Sequence, residues 1–135
     1  QLPWLPEALT RARNWKIGTR ALQETSRNIA FTPEDLEQYR AAWSQPGAYT
    51  AMLNWYRALL QKTSPPLDHP RVTVPTLLLW GAQDRFLDIR MARESISLCD
   101  DGRLVTFEDA THWVHHEEPD TINQLMESFL RKFTP

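Results

Sequence analysis

The chain has 135 residues, 41% of them apolar, and a net charge of −2, which suits one ordinary domain with a buried core. The near-neutral balance, without a basic cluster or a basic amphipathic helix, argues against nucleic acid and against a membrane surface as partners, and no apolar run approaches the length of a membrane span. One cysteine, Cys99, permits no intrachain disulfide and fits a reducing, cytoplasmic setting, while residues 1–20 lack the apolar centre of a signal peptide.

Six Trp and ten Pro stand out. Trp4, Trp15, Trp43, Trp55, Trp80 and Trp113 are spread along the chain, and aromatics in such number serve a core or line an apolar pocket. Residues 6–13 and 15–25 are short helix candidates. Thr32 can cap the next helix, with Pro33 at its first position and Asp35 three residues after the cap. Leu36, Tyr39, Arg40 and Trp43 carry its spacing, and Gln45-Pro46-Gly47 stops it. A further helix spans about 47–61, with Met52, Leu53, Trp55, Tyr56, Leu59 and Leu60 as its larger apolar side chains. Residues 62–75, rich in proline, read as an extended connection.

The second part alternates strand and helix. Residues 76–80, TLLLW, form an apolar run that does not alternate, as in a strand buried on both faces. A helix over 88–99 places Ile89, Ala92, Ile96 and Cys99 on one side, with Cys99 as a buried packing residue. Asp101-Gly102 is a turn and 103–108 a second strand. Pro119 opens the last helix, whose stripe is Ile122, Leu125, Met126, Phe129, Leu130 and Phe133. Strand–helix–strand–helix is the βαβ pattern of a parallel α/β sheet. Two strands and a closing helix leave faces and edges to be covered, so the chain alone is expected to expose apolar surface and to associate or aggregate.

In open parallel sheets, working residues gather beyond the carboxyl ends of the strands. Asp84 follows the first strand and His112 the second, so neighbouring strands would bring them to one edge. A carboxylate beside an imidazole fixes its tautomer and stabilises its cationic form, which makes a general base or acid. Asp84 also reads as a turn residue, Asp88 as a helix cap, and His112 as an ordinary loop histidine; the matching positions of Asp84 and His112 are what favour chemistry. The cluster His112, His115 and His116 invites a metal, but Pro119 starts the helix after them and no fourth ligand is nearby, so no metal is expected and His115 and His116 read as loop residues. Nothing around Cys99 points to a reactive thiol.

VPTLLLWGAQDRFLD (74–88) followed by FEDATHWVHHEEPDTINQLMESFL (107–130) resembles the C-terminal part of the α/β-hydrolase fold, in which an acid follows a late strand and the catalytic histidine follows the last. AFTPEDLEQYRAAWSQPGAYTAMLNWYRALLQ (30–61) resembles the cap of the epoxide hydrolase branch, and NWYR (54–57) is its most telling piece. The resemblance implies an α/β fold with a helical cap segment over 1–64 and the C-terminal part of the catalytic domain over 65–135. It implies Asp84 and His112 as acid and base, Tyr56 as the cap tyrosine that assists ring opening, and Trp55 and Trp113 beside an apolar epoxide or related small molecule. No cofactor is implied. Read without the resemblance, Tyr56 is a packed helix tyrosine. The sequence has no G-x-S-x-G or comparable G-x-D-x-G elbow and no HGxP-type oxyanion loop. The nucleophile is therefore expected on a missing N-terminal half, with this chain inactive by itself. A dehalogenase, a serine esterase of the same fold, and a non-catalytic fragment or interaction module stand as alternatives.

Overall fold

The computed structural model describes residues 5–27, 30–61 and 71–133. Trp4 and most of the proline-rich connection, residues 62–70, lie outside them. The chain clusters into two compact units, Gln1–Glu24 with Phe31–Pro66, and Thr25–Ala30 with Leu67–Pro135.

The first unit is helical: α1 (Leu5–Thr25), α2 (Pro33–Ser44) and α3 (Ala48–Leu59). α1 is two helical pieces, as the sequence suggests, because Ala12 turns extended (ψ 142°) and Arg13, Asn14 and Trp15 all take left-handed backbone, with φ of 55°, 54° and 60°. Trp15 is buried and donates its indole N–H to Ser44 Oγ at 2.8 Å. Its ring lies 5.7 Å from Trp43 and 5.0 Å from Tyr49. Gly18 makes room for Trp43, whose ring stands 2.8 Å from where a Cβ would be. Trp15 and Trp43 form the core of this unit with Leu22, Phe31 and Leu36; burying a large apolar side chain stabilises by about 1.5–3 kcal/mol. α2 starts as expected: Thr32 Oγ1 accepts from Asp35 N, and Asp35 accepts from Thr32 N, so two orphan donors are satisfied reciprocally.

The second unit runs β1 (Thr76–Gly81), α4 (Ile89–Ser97), β2 (Gly102–Phe107), α5 (Val114–Glu117) and α6 (Pro119–Leu130), with a closing 3-10 turn over Arg131–Phe133. β1 and β2 pair in parallel from Thr76↔Gly102 to Gly81↔Phe107. α4, capped by Asp88, packs on both strands, and α6 packs on β1. Ala92, Ala110 and Ile122 are buried.

Three expectations change. β1 is only partly buried from Thr76 to Trp80, because a two-stranded sheet with few helices cannot cover both its faces: Leu77 and Leu79 share an open apolar hollow of about 350 Å³ with Met126, Phe129 and Leu130. Cys99 is half-buried rather than a core residue; it lies past the end of α4, in an isolated bridge with Val72. Phe133 leaves the α6 stripe for the 3-10 turn, stacking edge-on to Phe129 at 5.3 Å. Among the described residues no helix is long and apolar enough to cross a membrane.

Candidate active site

The loops that leave β1 and β2 are locked to each other by backbone. Ala82 N donates to Phe107 O at 2.9 Å and Gln83 N to Ala110 O at 2.8 Å, while the Gln83 side-chain amide donates to Glu108 O at 3.0 Å. Gly81 permits this approach: a Cβ there would overlap the carbonyl oxygen of Thr111 and stand 2.6 Å from that of Ala110. The parallel register then carries Asp84 and His112 to the same edge.

Asp84 Oδ2 lies 2.9 Å from His112 Nδ1. Its other oxygen accepts from Phe86 N at 2.8 Å and Leu87 N at 3.1 Å. Asp84 is thus both the turn residue and the imidazole partner that the sequence left open. Its side chain is 7% exposed, that of His112 36%. Burial works to raise the Asp84 pKa, but the hydrogen bonds from His112, Phe86 and Leu87 outweigh it, and the carboxyl is held below its ordinary value. A carboxyl whose pKa is depressed by folding stabilises the folded state above its unfolded pKa, about 3.9, and loses that contribution as pH falls through the lower folded value. The stability difference between the wild type and Asp84→Asn is therefore expected to be flat above about pH 5 and to shrink steadily below about pH 4. Urea melts across that window read it, and a difference independent of pH would contradict the depressed pKa of Asp84.

With Nδ1 engaged, Nε2 is directed to the opposite side of the ring. Phe86 and Trp113 stand edge-on to the imidazole, with ring centres 5.1 Å and 5.3 Å away. The Trp113 indole N–H donates to Thr25 Oγ1 at 2.9 Å. On the other side of His112, Thr111 is held by Glu117: Thr111 N donates to Oε2 and Thr111 Oγ1 to Oε1, both at 2.6 Å. Glu117 also accepts from Arg27 N at 2.8 Å. Its side chain is fully buried, yet these donors hold its pKa low against burial. No sequence pattern marks Glu117, Arg27 or Thr25, since the contacts of Arg27 with Glu117 and of Thr25 with Trp113 join residues remote along the chain.

His115 and His116 lie on the short helix α5, not in a loop as expected. α5 ends at Glu117 because Glu118, which precedes Pro119, leaves the helical region (φ −132°). Among the described residues no group of three or more His, Cys, Asp or Glu side chains converges as a metal site. In the first unit, Trp55 and Tyr56 sit on α3 and are 79% and 71% exposed, so Tyr56 is not the packed tyrosine that its helical spacing alone suggested.

The profile of the alpha/beta hydrolase fold matches residues 3–119. The chain is 43% identical over 131 residues to the AB hydrolase superfamily protein YfhM of Bacillus subtilis (strain 168), covering 97% of this chain and 46% of that protein. It is 36% identical over 140 residues to Epoxide hydrolase 4 of Homo sapiens, covering 99% of this chain and 38% of that protein. A Bacillus megaterium epoxide hydrolase solved with an inhibitor superposes with a TM-score of 0.71 at 20% identity, over 93% of this chain and 47% of that one. A serine hydrolase involved in carbazole degradation superposes at 0.65 with 22% identity, over 83% and 45%; both structural likenesses speak for the fold. The chain spans less than half the length of these relatives. A profile match over most of its length and these relatives together make the chain a member of the α/β-hydrolase fold family, in its epoxide hydrolase branch.

Proposed function

We propose that this chain is the cap and the base-bearing part of a hydrolase that adds water to an apolar epoxide and releases a vicinal diol. The observation that carries the reading is the Asp84–His112 pair, 2.9 Å apart at the carboxyl edge of a parallel sheet, with the carboxylate buried. Kinship with epoxide hydrolases over nearly the whole chain supports it.

In the proposed reaction, a carboxylate nucleophile outside these residues attacks an epoxide carbon. The carbon–oxygen bond breaks, and Tyr56 donates to the alkoxide, where a hydrogen bond or proton counts most. An ester now joins substrate and protein. His112 Nε2 then takes a proton from water, whose oxygen attacks the ester carbonyl. Asp84 keeps the proton on Nδ1, so that Nε2 is the basic nitrogen, and stabilises the imidazolium that forms. Return of that proton to the leaving alkoxide frees the diol, and the proton shed by the new carboxylic acid restores Tyr56 and leaves the nucleophile ionised. Trp55 and Trp113 offer apolar walls to the substrate. A serine elbow outside these residues would make the same pair serve an esterase, a reading favoured only by the structural likeness to a serine hydrolase.

The test is hydrolysis by the gene product that carries this sequence, assayed with an aryl-substituted terminal epoxide, a matched aryl ester and a haloalkane. Diol formation far above the other two reactions is expected. Ester cleavage alone, or release of halide alone, overturns the assignment in favour of the corresponding enzyme; no reaction with any leaves a non-catalytic module.

A further inference from the structure

His112 is bracketed. The residue before it, Thr111, and the residue after it, Trp113, are both fastened to the segment 25–27 of the same unit, the last residue of α1 and the two that follow, about ninety positions earlier in the chain: Thr111 through Glu117 to Arg27, and Trp113 directly to Thr25. We propose that Glu117 and the segment 25–27 form a clamp that fixes where the His112 imidazole stands, with Glu117 as a positioning residue. The inference rests on the water-activating role given to His112 above.

Glu117 is suited to this work by its saturation. Oε1 accepts from Arg27 N and Thr111 Oγ1. Oε2 accepts from Thr111 N and faces Arg27 Nε at 3.5 Å. The guanidinium also donates from Nη2 to Glu117 O at 2.9 Å and to Glu118 Oε1 at 2.5 Å, so it grips both the start and the side of the chain turn between α5 and α6. A wholly buried carboxylate is tolerated only when its lone pairs are met, and here two backbone N–H groups from distant segments meet them. Neither orientation of a glutamine amide can do the same. One sets its NH₂ against the Arg27 N–H, the other against the Thr111 N–H. Glutamine at 117 therefore preserves shape and volume while releasing one side of the bracket. An aspartate would be one methylene short of both donors.

A purely structural carboxylate and a positioning one differ in what His112 reports. The Nδ1–H of His112, bound to Asp84, should give a low-field proton resonance in the gene product, assigned by its loss in Asp84→Asn. In Glu117→Gln we expect this proton to exchange with water about tenfold faster, the effect of losing one hydrogen bond to a charged group. Methyl resonances of Ala92 and Ile122 should stay in place. Thr25→Val releases the other side of the bracket and should speed the exchange in the same sense. If Glu117→Gln does not fold, Thr25→Val carries the test by itself. An unchanged exchange rate in the folded variants overturns the clamp. Failure of Asp84→Asn to remove the resonance overturns instead the Asp84–His112 pair, and with it the proposed function.

Discussion

In the gene product that carries this sequence, His112→Ala is expected to stop the reaction after the epoxide has opened. The protein should gain the mass of one substrate molecule and hold it, while diol release falls by about 10²–10⁴, the range of a positioned general base. The reason is that only the second half of the proposed reaction needs a base: ring opening is driven by the nucleophile and helped by Tyr56, whereas ester hydrolysis needs a deprotonated water. Asp84→Asn should show the same trapped ester with a smaller loss. An asparagine that turns its amide NH₂ to Nδ1 makes that nitrogen the acceptor, which leaves Nε2 protonated and unable to take the proton of water. Intact-protein mass spectrometry beside diol release separates the steps. Diol release within tenfold of the wild type in His112→Ala, without a trapped adduct, would mean that another group activates water.

The second large effect is expected at a residue with no side chain. Gly81→Ala places a methyl group on the carbonyls of Thr111 and Ala110. These atoms belong to the backbone, and the hydrogen bonds from Gln83 N to Ala110 O and from Thr111 N to Glu117 hold them, so no rotamer change can relieve the clash. Overpacking of this kind destabilises by about 1–3 kcal/mol or more, which corresponds to a fall in melting temperature on the order of 10 °C. The more specific result concerns the site. Relief of the clash must part the two loops, and the parting draws Asp84 away from His112. Gly81→Ala should therefore lose diol formation even well below its melting temperature, and the low-field imidazole proton with it. A variant that keeps both, with an unchanged melt, would show that the loops are not in such close contact.

Much of this was readable from the chain. The unbroken apolar run TLLLW marks β1 because only a strand shielded by neighbours has so little need of polar positions. The Thr32–Asp35 box and the α6 stripe fix helices through local rules that hold wherever the segment is placed. Asp84 and His112 were legible for a topological reason: parallel strands end at one edge, so residues just beyond them meet. What escaped is non-local or short. α5 spans Val114–Glu117, too few residues for a hydrophobic period to declare itself. The Glu117–Arg27 contact joins residues 90 positions apart, and nothing in HWVHHEEP says that one of its two glutamates is buried and the other is not. The incomplete burial of β1 follows from the same reading that expected exposed apolar surface: an apolar strand reports the covering it is suited to, and two strands with a closing helix do not supply it.

The left-handed residues at the bend of α1 have a consequence for anyone who would engineer this protein. Arg13 and Trp15 carry side chains that disfavour that backbone by roughly 1–2 kcal/mol each, while Asn14 accepts it more readily. The usual ranking of helix formers therefore runs backwards across this one joint. Alanine, the best residue for most of α1, would do nothing for Arg13, and glycine, among the worst elsewhere in the helix, would be at home there.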